Sequence, residues 1–164
     1  MDLTIRVATE RDVPLILDMI KGLAEYEKLS HEVTATEAGL RESLFGASPS
    51  AEVVIASADG EPAGFALFFH NYSTFLGQRG IYLEDLFVRP AWRGHGVGRQ
   101  LLIHLAQLAV ARGCGRLEWA VLDWNEPAIR FYRSVGAQPM HDWTVFRMMG
   151  EALQQLAAKP VETR

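Results

Sequence analysis

The residues of this sequence best suited to chemistry are the glycines of segment 93–98, which reads Arg-Gly-His-Gly-Val-Gly. Three glycines at alternate positions leave the backbone almost free of side chains just where a long helical pattern begins. Several N–H groups can then point at one anion, and the N-terminus of the helix adds positive potential there. We therefore predict that this segment cradles a pyrophosphate.

The spacing of the glycines separates the possible kinds of pyrophosphate cradle. A P-loop requires a Lys directly after its last glycine, where this chain has Arg99. The dinucleotide fingerprint G-x-G-x-x-G also fails, because its last position falls on Arg99 or Leu101. The pattern that fits is R-x-x-G-x-G, which Arg93, Gly96 and Gly98 satisfy.

Two adjacent acids, Glu84 and Asp85, interrupt the apolar run 81–88. Burying carboxylates in such a run is costly unless they have a partner or a purpose. A carboxylate beside an alkyl amine can take the proton that the ammonium group must lose before it attacks a carbonyl carbon. On a regular strand Glu84 shares a face with Tyr82 and Leu86, while Asp85 points the other way. The alternative is that both acids form structural pairs with Lys or Arg.

The elements that must position these residues alternate between strand and helix patterns. Strands are predicted at 3–8, 51–58, 62–71, 81–88, 116–122 and 143–149, and helices at 13–24, 36–45, 96–112, 125–135 and 151–158. A loop is predicted from Asn71 to Gly80. The strand, long helix and strand from 81 to 122 form a βαβ unit, so those two strands should be parallel. We predict one mixed α/β domain.

Composition limits the possible functions. The chain has 164 residues, 49% of them hydrophobic, and a net charge of −4. These values suit one domain with a sizeable core and give no electrostatic support for binding nucleic acid or an anionic membrane. No basic apolar leader or run of transmembrane length is present, so we expect a cytoplasmic protein. The single cysteine, Cys114, excludes an internal disulfide, and the five histidines show no metal spacing.

The order of the elements and four sequence blocks resemble the GCN5-related N-acetyltransferase superfamily. The blocks are 20–27, 82–88, 93–98 and 124–132 with Gly136-Ala137, and they look like the diamine branch, which includes spermidine/spermine and thialysine N-acetyltransferases. The resemblance implies one domain over residues 1–164, with a core at about 3–148 and a helical tail at 149–164. It also implies a mixed, mostly antiparallel sheet with a central splayed parallel strand pair, flanked by helices.

The resemblance implies acetyl transfer from acetyl-coenzyme A to a primary amine of a small cationic acceptor, by direct attack in a ternary complex. It implies a homodimer and no metal. Glu84 matches the family's base and Tyr132 its acid. The implied coenzyme-binding residues are Leu86, Phe87, Val88, Arg93, Gly94, His95, Gly96, Val97, Gly98, Arg99, Asn125, Pro127, Ala128 and Tyr132. We place Tyr26, Glu27, Glu84, Asp85, Glu118 and Asp142 around the acceptor, since an acidic slot favours a cation.

Departures from the branch bear on the acceptor. The loop before Tyr82 reads Ser-Thr-Phe-Leu at 73–76, where the pattern of the polyamine enzymes is similar to Asp-Pro-Trp-Ile. An acid and a Trp of that pattern are therefore missing here. This loop favours a compact amine such as thialysine, a lysine-like compound or a short diamine over spermine. Three alternatives remain: a protein or peptide N-acetyltransferase, a catalytically silent acyl-coenzyme A-binding module, and a nicotinamide-dependent protein.

Overall fold

The computed structural model describes residues 1–162, which form two compact units, Met1–Leu122 and a second unit beginning at Asp123. The first unit holds a five-stranded sheet and three helices. Its strands are β1 (Leu3–Val7), β2 (Glu52–Ala58), β3 (Glu61–Ser73), β4 (Gln78–Val88) and β5 (Leu117–Trp119), and its helices are α1 (Val13–Tyr26), α2 (Glu37–Phe45) and α3 (Val97–Ala111). The second unit holds α4 (Glu126–Ser134) and α5 (Gly150–Ala157).

The sheet has the order β1-β2-β3-β4-β5, antiparallel except for the parallel pair β4–β5. The predicted mixed sheet and parallel pair are therefore confirmed. The two strands of that pair meet only from Ile81–Leu117 to Leu83–Trp119. Beyond Leu83, the edge of β4 that faces away from β3 has no strand partner among the described residues. This opening is the predicted splay.

Helix α1 is fixed to the sheet at both ends. Before the helix, the Asp12 carboxylate accepts a hydrogen bond from the Thr9 N–H at 2.7 Å and pairs with Arg6 at 2.7 Å. Along the helix, Ile16 and Met19 are fully buried in the core on one face of the sheet. Near its end, a Cβ at Gly22 would lie 2.7 Å from Cζ of Phe87, so the absence of a side chain there lets the ring of β4 pack against the helix.

Strand β4 contains a bulge at the acidic pair. Leu67 of β3 pairs with Asp85 and Phe68 pairs with Leu83, which leaves Glu84 without an opposing residue. An extra residue of this kind breaks the alternation of side chains between the two faces of a sheet. Since Tyr82 pairs with Phe69, it shares a face with Asp85 rather than with Leu86. The prediction that Tyr82 and Leu86 lie on one face is therefore wrong.

Three predicted elements differ from the structure. The segment 71–80 is mostly strand, because β3 runs to Ser73 and β4 begins at Gln78 around a short turn. Strand β5 covers three residues rather than seven. Residues 143–149 form no strand, and Trp143 is 76% exposed. The apolar pattern of this last segment suits a strand, but no described strand pairs with it. The last two residues of the predicted tail lie outside the described residues.

Candidate active site

The glycine segment forms an open loop at the start of α3. Gly94 and Gly96 have positive φ angles of 79° and 83°, a conformation that side chains with a Cβ rarely adopt. A Cβ at either position would meet no atom within 4 Å, so the space over the loop is open. The first N–H groups of α3 have no carbonyl partner within the helix. This arrangement of open backbone and free donors fits a pyrophosphate.

The side chain of Arg93 turns back from this loop toward β4 and α1. Its Nε donates to the carbonyl oxygen of Val88 at 3.0 Å. Its guanidinium carbon lies 4.8 Å from the ring centroid of Tyr26 and 5.6 Å from that of Phe87. The first residue of the glycine motif therefore contacts the helix end that carries the predicted acceptor residue Tyr26. His95 is also held locally, by a 2.9 Å contact between its Nδ1 and the Arg93 carbonyl oxygen.

The open edge of β4 lies between the bulge and this loop. Leu86, Phe87 and Val88 pair with β3 on one side, and the strand pair with β5 has already ended at Leu83. Backbone groups on an unpaired strand edge can hydrogen-bond an added extended chain. This edge therefore offers a track for the amide groups of a pantetheine arm.

Three of the predicted acidic residues act on one another. Asp85 is largely buried, and burial together with the charges of Glu84 and Glu27 raises its pKa to about 6. Burial also raises the pKa of Glu27, which follows the last residue of α1. The carboxyl group of Asp85 makes no hydrogen bond or ion pair with any residue in the described part of the chain. An uncompensated acid cluster of this kind is a favourable place for a cation.

The other two predicted acceptor acids are Glu118 and Asp142. Glu118 lies beside Tyr82 in the β4–β5 register and accepts a hydrogen bond from Asn71 at 3.3 Å. Burial and the charges of Glu84 and Glu118 raise the pKa of the Tyr82 phenol. Glu118 is therefore linked to the cluster through Tyr82 and Glu84. Asp142 is exposed in the second unit, and its role stays a prediction.

The remaining predicted coenzyme residues belong to the second unit. Asn125 is 7% exposed and caps α4, with its Oδ1 accepting from the N–H of Ala128 at 3.4 Å. Pro127 lies in the first turn of that helix. Tyr132 is half-buried, and its ring centroid lies 5.5 Å from that of Phe131. Asn125 thus caps α4, and its contact with the coenzyme stays a prediction.

Sequence reasoning missed a cavity beside Phe87. It has a volume of about 730 Å³, and Lys21, Glu25 and Arg89 contribute to its wall. Positions 18, 21, 22 and 25 share one face of a helix, and this spacing is the pattern in the sequence from which the cavity wall could have been predicted. Elsewhere, no group of three or more His, Cys, Asp or Glu side chains among residues 1–162 is arranged to hold a metal ion. No described helix is long and apolar enough to cross a bilayer.

The profile of the Acetyltransferase (GNAT) family matches residues 19–137. The chain belongs to this family. The acetyltransferase is 43% identical to a thialysine N-epsilon-acetyltransferase of Bos taurus, over 94% of this chain and 97% of that one. It is 36% identical to an L-ornithine N5-acetyltransferase of Arabidopsis thaliana, over 93% and 86% of the two chains.

A solved structure has the same fold. An integron cassette protein from the mobile metagenome of V. cholerae superposes with a TM-score of 0.81 at 27% identity, over 97% of this acetyltransferase and 99% of that chain. The predicted family and fold are thus confirmed. GNAT enzymes use acetyl-coenzyme A as co-substrate, and the similarity to thialysine acetyltransferases supports acetyl transfer to an amine.

Proposed function

We propose that this acetyltransferase transfers the acetyl group of acetyl-coenzyme A to a primary amine of a small cationic acceptor, such as thialysine, a lysine-like compound or a short diamine. The observation that carries the proposal is the unpaired Asp85 carboxyl group between Glu27 and Glu84. An ammonium group on the acceptor would supply the missing positive charge. The relatives named above for thialysine and ornithine support an amino-acid acceptor with an amine in its side chain.

In the proposed reaction the coenzyme supplies the thioester. The backbone N–H groups of residues 94–99 bind the pyrophosphate, and the edge of β4 from Leu86 to Val88 holds the pantetheine arm. The acceptor nitrogen loses a proton to the Glu84–Asp85 pair and adds to the carbonyl carbon of the thioester. The C–N bond forms in this step, and the C–S bond breaks when the resulting tetrahedral oxyanion collapses. The Leu86 N–H stabilises the developing oxyanion. Tyr132 donates a proton to the departing thiolate, and no metal takes part.

Within the acidic pair, we propose Asp85 rather than the predicted base Glu84 as the proton acceptor. Glu84 is exposed at the bulge, whereas Asp85 is held on the face that carries Phe87 and α1. A base works best when its pKa is near the working pH, and the pKa of about 6 for Asp85 meets that requirement. Glu84 would then assist by its charge, which contributes to the raised pKa of Asp85.

The test is the release of coenzyme A thiol from acetyl-coenzyme A with a panel of acceptors. The panel contains thialysine, lysine, ornithine, a short diamine, spermidine, spermine and a lysine-containing peptide. We expect the highest kcat/KM for a compact amine. The turn at 74–77 offers neither the carboxylate nor the Trp that the corresponding loop of the polyamine enzymes carries. Spermine or spermidine as the best substrate would contradict this proposal.

Two other outcomes would select the alternatives. Peptide acetylation faster than that of every small amine would indicate a protein acetyltransferase. Coenzyme binding without turnover of any amine would indicate a silent acyl-coenzyme A-binding module.

We also propose that the working form is a homodimer. Trp143, Val145 and Phe146 are 76%, 84% and 93% exposed, and the segment 143–149 pairs with no described strand. Apolar side chains exposed together in this way favour association. We propose that a second copy of the chain covers segment 143–149. We propose in addition that residues 1–164 form a single catalytic domain and that the protein is located in the cytoplasm.

A further inference from the structure

The cavity beside Phe87 has charges of both signs on its wall. Its wall includes Asp18, Lys21, Glu25, Phe87 and Arg89. Two of these are acids and two are bases, and the remaining wall includes the apolar side chains of Val33, Phe87 and Pro90. Its volume of about 730 Å³ is in the range of small-molecule sites. A ligand that carries both an anionic and a cationic group suits such a wall.

Half of the charges are already paired with one another. Nη2 of Arg89 lies 2.8 Å from Oδ2 of Asp18, which fixes the guanidinium at one side of the cavity. The side chains of Lys21 and Glu25 make no hydrogen bond or ion pair with any of the residues 1–162. One ammonium and one carboxylate are therefore left for a ligand, four positions apart on the same face of α1.

The cavity adjoins the acidic cluster of the proposed active site. α1 runs in the direction opposite to the end of β4, because Asp18 meets Arg89, Gly22 meets Phe87, and Glu27 acts on Asp85. Asp85 and Phe87 are two residues apart on one strand, or about 6.5 Å. An extended lysine-like side chain has a similar length. An acceptor whose reactive amine lies at Asp85 would therefore place its other end at the cavity.

Resting on the proposed function, we propose that this cavity recognises the α-amino acid end of the acceptor. The acceptor's α-carboxylate contacts Lys21, with Arg89 beside it, and its α-ammonium group contacts Glu25. The cavity thereby selects amino acids with a side-chain amine over diamines of the same length. The charge pattern gives a physical reason for this choice, since a diamine would bring an ammonium group without the carboxylate that Lys21 requires.

The test compares three acceptors of one length on the wild-type enzyme. Thialysine carries the α-carboxylate, thialysine amide has it capped, and bis(2-aminoethyl) sulfide lacks it. We expect kcat/KM for thialysine to exceed both others by about tenfold or more, which corresponds to about 1.4 kcal/mol. Equal kcat/KM for all three would overturn the inference while leaving the proposed function intact. Acetylation of none of them would count against the proposed function itself.

A pair of variants assigns the preference to the cavity. Lys21→Met should lower the thialysine-to-diamine ratio of kcat/KM by about tenfold, whereas Lys159→Met, which removes the same charge outside the cavity wall, should leave the ratio unchanged. Glu25→Gln should lower kcat/KM for both acceptors, because both keep the second ammonium group. Calorimetric titration of the coenzyme A-bound enzyme with each acceptor should give the same ratios for the dissociation constants. An unchanged thialysine-to-diamine ratio of kcat/KM in Lys21→Met would contradict the inference, because another group would then bind the carboxylate.

Discussion

The guanidinium of Arg93 lies over the ring of Tyr26, 4.8 Å from its centroid, and joins the glycine loop to the C-terminal end of α1. A cation–π contact of this kind contributes about 0.5–1 kcal/mol at an exposed site. The loop is the proposed pyrophosphate site, and Tyr26 precedes Glu27 at the proposed acceptor site. Binding of the coenzyme should therefore affect how the acceptor is positioned.

We predict that Arg93→Lys and Tyr26→Leu each raise the KM of the acceptor by about two- to fivefold, a loss equal to the cation–π contact. Lysine keeps the charge of Arg93 but loses its planar group. Steady-state kinetics on the two single variants and the double variant form a double-mutant cycle. The double variant should be no worse than the more affected single variant. Additive effects would contradict the coupling.

We predict that Asp85 sets the acid limb of the pH profile. Its carboxyl group must be ionised to accept a proton, so kcat/KM should rise through the pKa of about 6 and then level off. Asp85→Asn should abolish this limb and lower kcat by about 10²-fold. Glu84→Gln is the matched control. It should shift the limb to lower pH, because removing the Glu84 charge lowers the pKa of Asp85. A limb that survives in Asp85→Asn would contradict the assignment.

We predict that the ionised carboxylate of Asp85 lowers the free energy of unfolding. The pKa of Asp85 is raised to about 6 in the folded state, so the folded protein binds the proton more tightly than the unfolded chain. Its contribution to the free energy of unfolding therefore falls as pH rises from about 4 to about 6. Asp85→Asn should be more stable than wild type at pH 8 by roughly 1–3 kcal/mol. Urea denaturation at pH 4 and pH 8 measures the difference.

We predict that Gly98→Val weakens coenzyme A binding by at least about tenfold without unfolding the protein. A Cβ at Gly98 would lie 3.6 Å from Cγ2 of Val88, an ordinary contact, so the fold tolerates it. Because no other atom lies within 4 Å of that Cβ, the added methyl groups would fill open space at the start of α3, where we propose that the phosphate binds. Calorimetric titration with coenzyme A measures the loss. Unchanged affinity in folded Gly98→Val would disprove the cradle.

We predict that Tyr132→Phe keeps its affinity for coenzyme A but lowers kcat by about 10²-fold, since the variant loses only the proton donor. The ring remains, so packing against Phe131 is preserved. Titration with coenzyme A and steady-state kinetics separate the two effects. Turnover at the wild-type rate would reduce Tyr132 to a packing residue.

We predict that Phe146→Ser shifts the enzyme from dimer to monomer in sedimentation velocity. The side chain is 93% exposed, so its replacement should leave the protomer folded while removing apolar surface. Phe75→Ser is the matched control, since Phe75 is 95% exposed on the β3–β4 turn. A monomeric wild type, or a dimer lost only in Phe75→Ser, would count against the role of segment 143–149.

The sequence by itself determined the order of the five strands of the sheet and of the helices, and the position of the glycine loop. These features depend on local properties, because helical periodicity and glycine spacing both act within a few neighbouring positions. The parallel pair β4–β5 also followed from the sequence, because a strand, helix and strand in succession can return to the sheet in essentially one way. The Glu84–Asp85 pair could be recognised as costly from its apolar surroundings alone.

Only the tertiary structure decided which acid is buried and what it faces. The bulge at Glu84 depends on the register with β3, and a one-residue shift moves side chains to the other face. The contact of Arg93 with Tyr26 and the cavity at Lys21 bring together residues far apart in the chain, which no local pattern encodes. The segment 143–149 failed as a strand for the same reason. A strand needs hydrogen bonds from a partner, and the availability of that partner is a property of the fold rather than of the segment.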